Sequence, residues 1–167
     1  GFLQATEAGQ GALQAAAMDI VGDAARVADL FAGAGCFALM MAAKAEVLAV
    51  EGEQALLSAL QAGWRSTEGL KAIEVQRRDL FRRPLLVEEL APFDAVVIDP
   101  PRAGARAQME TLAKSSVPVI ASISCDAVSF ARDTRILIDG GYSLDWVQPV
   151  DQFRWSPHVE IAARFAR

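Results

Sequence analysis

Histidine, cysteine and tyrosine are scarce in this chain. Its 167 residues include one histidine, His158, one tyrosine, and two cysteines, Cys36 and Cys125. Two cysteines build neither a disulfide framework nor a four-cysteine metal site, and one histidine with two distant cysteines makes no zinc site. Both thiols therefore read as free, in a reducing compartment. No basic stretch precedes an apolar one near Gly1, so no leader is expected. No apolar run is long enough to span a bilayer, since the richest window, residues 27–43, contains Asp29 and Gly33-Ala34-Gly35. The expectation is a cytoplasmic protein that meets no membrane. An excess of positive charge is missing too. A net charge of −5 excludes a general polyanion binder and gives no reason to expect DNA. Arginines still gather locally, at Arg77, Arg78, Arg82, Arg83, Arg102 and Arg106. They read either as a solvated face or as a rim that contacts phosphates.

What is present is an ordinary globular mix, 53% hydrophobic and 22% charged, of a size for one domain. Strand-type runs alternate with helix-type segments. Strands are expected at 26–31, 47–50, 72–77, 93–98, 117–123, 142–149 and 159–165. Helices are expected at 12–20, 37–44, 53–64, 105–114 and 129–139, the last closed by Gly140-Gly141. This alternation predicts an α/β fold with a mainly parallel sheet and helices on both faces. The last two strands have no helix between them and should pair antiparallel at the end of the sheet. The chain opens on Gly1 rather than Met, so it reads as a fragment.

The loop after the first strand, Ala28-Asp29-Leu30-Phe31-Ala32-Gly33-Ala34-Gly35-Cys36, lets a backbone approach a ligand closely. Its G-x-G lacks the third glycine of the dinucleotide fingerprint, position 38 being Ala. Glu51 ends the second strand, where an acid accepts hydrogen bonds from ribose hydroxyls. Asp79 follows the third strand and is placed to meet an adenine amino group. NAD fits this geometry. S-adenosylmethionine fits better, because Asp29 suits a ligand with a cationic amino acid end and because an antiparallel pair closes the sheet. An unrelated glycine turn is the plain alternative.

Three further groups converge on strand ends. Asp99 opens the stiff turn Asp99-Pro100-Pro101-Arg102. Cys125 sits in Ser124-Cys125-Asp126 after an apolar strand, where a thiolate acts as a nucleophile and a buried thiol is inert. Glu160 alternates with His158 on the last strand and is a candidate general base.

Asp29-Leu30-Phe31-x-Gly-x-Gly, Glu51, Asp99-Pro-Pro-Arg-Ala-Gly, Ser124-Cys125-Asp126, Ala131-Arg132-Asp133 and Asp151-x-Phe153…His158-Val159-Glu160 occur in that order. Together they resemble the catalytic domain of the RNA uracil-C5 methyltransferases, from Phe2-Leu3-Gln4 almost to Arg167. The resemblance implies a Rossmann-like class I methyltransferase fold of seven strands over residues 1–167, with RNA-binding domains upstream. It implies S-adenosylmethionine as cofactor and tRNA or rRNA as partner. It assigns Gln4, Phe31, Glu51, Asp79 and Asp99 to the cofactor or the adjoining base, with Gly33, Gly35 and Cys36 in the glycine loop. Cys125 becomes the nucleophile that adds to uracil C6, and Glu160 the base that removes the C5 proton. A binding module without activity, or a methyltransferase for another substrate, are the other readings the residues leave open.

Overall fold

A computed structural model of the chain describes residues 7–150 and 159–167. In chain order it contains α1 (Glu7–Val21), β1 (Arg26–Leu30), α2 (Ala38–Met41), β2 (Glu46–Glu51), α3 (Gln54–Ser66), β3 (Ile73–Arg77), α4 (Val87–Leu90), β4 (Ala95–Ile98), α5 (Arg106–Leu112), β5 (Val119–Ser124), α6 (Ala127–Asp139), β6 (Ser143–Val150) and β7 (Glu160–Ala166). The strands form one sheet in the order β3-β2-β1-β4-β5-β7-β6. The first five run parallel. β7 lies antiparallel between β5 and β6, so the strand that comes last in sequence is not the edge.

Burial explains the strand sequences. β4 is buried at every position and β1 at all but its first residue, because helices cover both faces there. β6, at the edge, is largely exposed. Strand alternation sorts the core into two layers. Val27, Val47, Val97, Ala121 and Ala162 pack with residues of α1, α2 and α3, including Leu13, Ile20, Met41 and Leu60. Ala28, Leu30, Val96, Ile98, Ile120 and Phe165 pack with α5 and α6 through Met109, Leu112 and Leu137. The expected class I methyltransferase fold is observed, with its antiparallel pair.

Boundaries shift for local reasons. α1 begins at Glu7, earlier than expected, because its alanines are good helix formers and its inner face is buried. The helix expected at 37–44 keeps one turn, Ala38–Met41, and then tightens into turns through Lys44 and Ala45. The short α4 was not expected. Its start is held by Glu89, whose carboxylate accepts the Leu86 amide at 2.8 Å. Among the described residues no helix is long and apolar enough to cross a membrane.

Where α6 ends beside α5, the backbones approach closely. A Cβ on Gly140 would stand 2.6 Å from both the Cβ and the carbonyl oxygen of Ala113. Gly140→Ala is therefore expected to cost about 1–3 kcal/mol of stability. Urea unfolding measures this, and an unchanged midpoint would contradict the packing.

Candidate active site

The pleat decides which polar groups meet. Asp29 has the phase of Val27, Glu51 that of Ala49, and Asp99 that of Val97. Cys125 has the phase of Ala121 and Ile123, and Glu160 that of Ala162. All five thus lie on the side of the sheet covered by α1, α2 and α3. They also lie at one edge, where β1, β2, β4 and β5 end and β7 begins. Ser124 pairs with Ile161, so continuing the register by one residue sets Glu160 across from Cys125. The Asp99 amide donates to the Leu30 carbonyl at 3.2 Å, which joins the turn after β4 to the end of β1.

The glycine loop is anchored from β2. The Ala32 amide donates to the Val50 carbonyl at 3.0 Å. The Glu51 carboxylate accepts the Gly33 amide at 3.0 Å on Oε2, and the Gly52 and Glu53 amides at 2.6 and 3.0 Å on Oε1. These bonds fix the carboxylate and still leave it lone pairs for a ligand. Gly35 combines φ +94° with a close approach to α3, since a Cβ there would lie 2.7 Å from Leu60 Cγ. A Cβ on Gly33, by contrast, would meet nothing within 4 Å. That space belongs to a cleft of about 500 Å³ lined by Gln10, Gln14, Phe31, Gly33, Gly35, Cys36, Met40 and Asp99 among others. Phe31 adopts φ +61°, the only positive φ of a non-glycine among the described residues. Such a conformation costs on the order of 1–2 kcal/mol. Its ring packs on Phe81 with centroids 5.2 Å apart.

Two residues in the cleft escaped the sequence reading. Gln10 and Gln14 of α1 both hold Cys36. The Gln10 side-chain amide donates to the Cys36 thiol, and that of Gln14 donates to its carbonyl at 2.8 Å. The only signal was a pair of glutamines one turn apart on an alanine-rich helix.

The sequence-predicted residues fall into three groups. Phe31, Gly33, Gly35, Cys36, Glu51, Asp99, Cys125 and Glu160 share the strand-end edge. Asp79 stands apart from the cleft wall: its carboxylate accepts the Phe81 amide at 3.0 Å and pairs with Arg82 at 3.6 Å. It still adjoins Glu51, since its Cα would be 3.9 Å from a Cβ on Gly52. Asp29 departs from expectation. It is completely buried in β1, between β2 and β4, and does not line the cleft. Its burial leaves no room for the direct ligand contact that was expected of it. Gln4 and His158, with Asp151 and Phe153, lie outside the described residues. Of the clustered arginines, Arg78 is structural, binding Glu89 at 2.7 and 2.9 Å and the carbonyls of Arg83 and Pro84. Arg106 pairs with Glu110 at 3.0 Å.

Burial sets the electrostatics, and neighbouring carboxylates add to it. Among the described residues neither oxygen of Asp29 meets a hydrogen-bond partner in good geometry, although the nearby Ala38 amide opposes the upward shift. Burial above all, then the charges of Asp99 and Glu51, hold its pKa well above the carboxylate range. Burial, with Glu160 adding, raises Asp99 to about 7. Burial also raises Glu160. The Cys125 thiol is pushed up by burial, Glu160 and Asp99, while Arg102 opposes. Cys36 is raised by burial and by Asp99 and Asp29. The expected thiolate at Cys125 is thus disfavoured by its own surroundings.

Comparison with known proteins agrees with this architecture. No family model matches the chain. It is 57% identical over 166 residues to an uncharacterized RNA methyltransferase of Mesorhizobium japonicum, covering 97% of this chain and 39% of that protein. It is 38% identical over 136 residues to the 23S rRNA (uracil(1939)-C(5))-methyltransferase of Chromohalobacter salexigens, covering 81% of this chain and 28% of that protein. The chain therefore spans about two fifths or less of the length of these curated relatives. Among solved structures, tRNA (uracil-54, C5)-methyltransferase of Pyrococcus abyssi, in complex with S-adenosyl-L-homocysteine, matches with a TM-score of 0.85. Identity is 24%, and the match covers 99% of this chain and 40% of that one. The magnesium protoporphyrin IX methyltransferase of Synechocystis, with bound SAH, matches at a TM-score of 0.74 and 14% identity. It covers 100% of this chain and 90% of that one. These structural likenesses establish the fold.

The raised Asp99 has a consequence for stability. A carboxyl whose folded pKa is raised stabilises the fold below the unfolded value, near 3.8, and that contribution is lost as pH rises through about 7. Asp99→Asn should therefore be more stable than the parent at pH 8, by on the order of 1–3 kcal/mol, with the difference shrinking by pH 5. Denaturant melts at the two pH values test this. A variant that is less stable at pH 8 would contradict it.

Proposed function

We propose, from the premise that this chain is kin to RNA methyltransferases, that it is the catalytic domain of a longer cytoplasmic enzyme. That enzyme would methylate C5 of a uridine in tRNA or rRNA, using S-adenosylmethionine. The observation that carries the reading is the meeting of Cys125, Glu160 and Asp99 on the face and edge that also hold the glycine loop.

The residues fit the cofactor. Gly33 opens toward free space in a cleft of suitable size. Glu51 is held by three amides, and its remaining lone pairs would accept ribose hydroxyls. Asp99 at the wall, with its pKa near 7, is partly ionised at neutral pH and offers negative charge to the cationic groups of the ligand. S-adenosylmethionine, when bound, supplies an electrophilic methyl group on a sulfonium. Gln14 holds the loop backbone at the Cys36 carbonyl, and Gln10 holds its thiol, against α1.

Uracil C5 is a poor nucleophile, and the chain supplies what activates it. Cys125 Sγ adds to C6, which places enolate character on C5. Positive charge in the cleft lowers the Cys125 pKa and so favours the attacking thiolate. Glu160, across from Cys125, takes the C5 proton once C5 carries the methyl group. Electrons return through C5–C6 and the Cys125–C6 bond breaks. The raised pKa of Glu160 suits a group that takes a proton near neutral pH. A uridine must leave its stack for any of these atoms to reach it.

RNA containing 5-fluorouracil tests the scheme, because fluorine at C5 leaves Glu160 no proton to remove. The full-length protein with S-adenosylmethionine should form a denaturation-resistant RNA adduct that maps to Cys125 and is absent in Cys125→Ala. On ordinary RNA, Glu160→Gln should slow product release by roughly 10²–10⁴-fold. A protein that binds the cofactor and forms no adduct with any fluorinated RNA would overturn the reading.

A further inference from the structure

The Ala131-Arg132-Asp133 motif has no part in the chemistry above, yet the fold ties it to the turn that carries Asp99. Asp133 lies one turn and a half into α6 and is buried, with 3% of its surface exposed. Its Oδ2 accepts the Ala105 amide at 2.8 Å, and its Oδ1 accepts Arg132 Nε and Nη2 at 2.9 and 2.7 Å. Arg132 Nη2 also donates to the Ala103 carbonyl at 3.0 Å. The two side chains therefore grip the backbone on either side of Gly104. Gly104 itself has φ +74°, and a Cβ there would fall 2.4 Å from Arg132 Nη2 and 2.6 Å from Asp133 Oδ2. The grip and the glycine are fitted to each other. This joins Pro-Arg-Ala-Gly and Ala-Arg-Asp, 29 residues apart at Ala103 and Arg132, into one device.

A second tie lies nearer the thiol. Arg102 Nε is 3.7 Å from Asp126 Oδ1. Asp126 caps α6 by accepting the Ser129 amide at 2.8 Å. α6 follows Cys125 directly. The turn after β4 is thus fastened to the helix that begins beside the nucleophile, at both its first turn and its second.

We propose that Arg132 and Asp133 are positioning residues that fix the Asp99–Arg102 turn against the Cys125 strand end. Neither reaches the reacting atoms. Their task is to hold the carboxylate and the arginine in register with the thiol, through the backbone of residues 103–105. The proposal rests on the uracil reading for its catalytic consequence, while its geometric content does not.

Two measurements on the full-length protein test it. The first is the rate of methyl transfer to RNA for Arg132→Ala, Arg132→Lys and Asp133→Asn. Arg135→Ala serves as control, since Arg135 pairs with Asp139 on the exposed part of the same helix. At a temperature where circular dichroism shows all variants folded, Arg132→Ala and Asp133→Asn should slow transfer by on the order of 10- to 100-fold. Arg132→Lys should recover part of that loss, and Arg135→Ala should stay within about twofold of the parent. The second is the pH profile of iodoacetamide alkylation at Cys125, followed on its peptide by mass spectrometry. Asp99 raises the thiol pKa more than Arg102 lowers it, so a released turn should move the midpoint down. Folded Arg132→Ala and Asp133→Asn proteins with unchanged transfer and unchanged midpoint would overturn the proposal. If the parent methylates no uridine, the uracil reading fails, and the alkylation profile alone decides the positioning claim.

Discussion

Acidic groups drawn out of water at one crowded sheet edge are the constraint on which the rest of this structure depends. Parallel pairing brings the ends of β1, β2, β4 and β5 together, and the antiparallel β7 starts at the same place. Period-two alternation then puts Asp29, Glu51, Asp99, Cys125 and Glu160 on one side. A sheet buried on both faces offers little water to screen them. Asp29, Asp99 and Glu160 respond by holding protons more tightly than free carboxyls do, chiefly through desolvation. The fold tolerates this arrangement because the surrounding helices and strands form two well-packed layers. In the proposed reading a cationic ligand would relieve it.

Around that edge the chain is arranged to restrict motion. Glu51 is clamped by three amides, Cys36 by two glutamines, and the turn beyond Asp99 by Arg132 and Asp133. Phe31 is held in a left-handed conformation by the bonds that tie Ala32 to Val50 and Gly35 to Ala32. Each of these takes up backbone groups that would otherwise move with solvent. Together they let strain and repulsion persist at the proposed site of reaction, where preorganised polar groups have the largest effect on rate.

Much of the fold was legible because its signals are local. Uninterrupted apolar runs such as Ala95–Ile98 mark strands buried on both faces, and glycine loops mark the turns between elements. Most strand-end candidates were legible for the same reason, since Glu51, Asp99 and Cys125 each close an apolar run. What sequence could not give was phase across strands. Nothing local tells that Glu160 lies across from Cys125, because that depends on the β5–β7 register. Nothing local tells that Asp29 is covered, because α2 and two neighbouring strands cover it. Gln10 and Gln14 were missed because glutamine on a helix usually means solvent. The paired motifs of Gly104 and Asp133 were seen as separate marks, and only packing shows them as one contact. The short α4 has too few residues for a periodic signal.

The central claim is that this edge recognises positive charge by surrendering protons. Calorimetry of S-adenosylmethionine binding in buffers of different ionisation enthalpy counts those protons directly. With Asp99 near 7, binding at pH 6.5 should release on the order of half a proton or more, and the neutral thioether S-adenosylhomocysteine should release fewer. Asp99→Asn should remove most of the release. Binding of the sulfonium with no proton release, or with the same release for both ligands, would contradict the account.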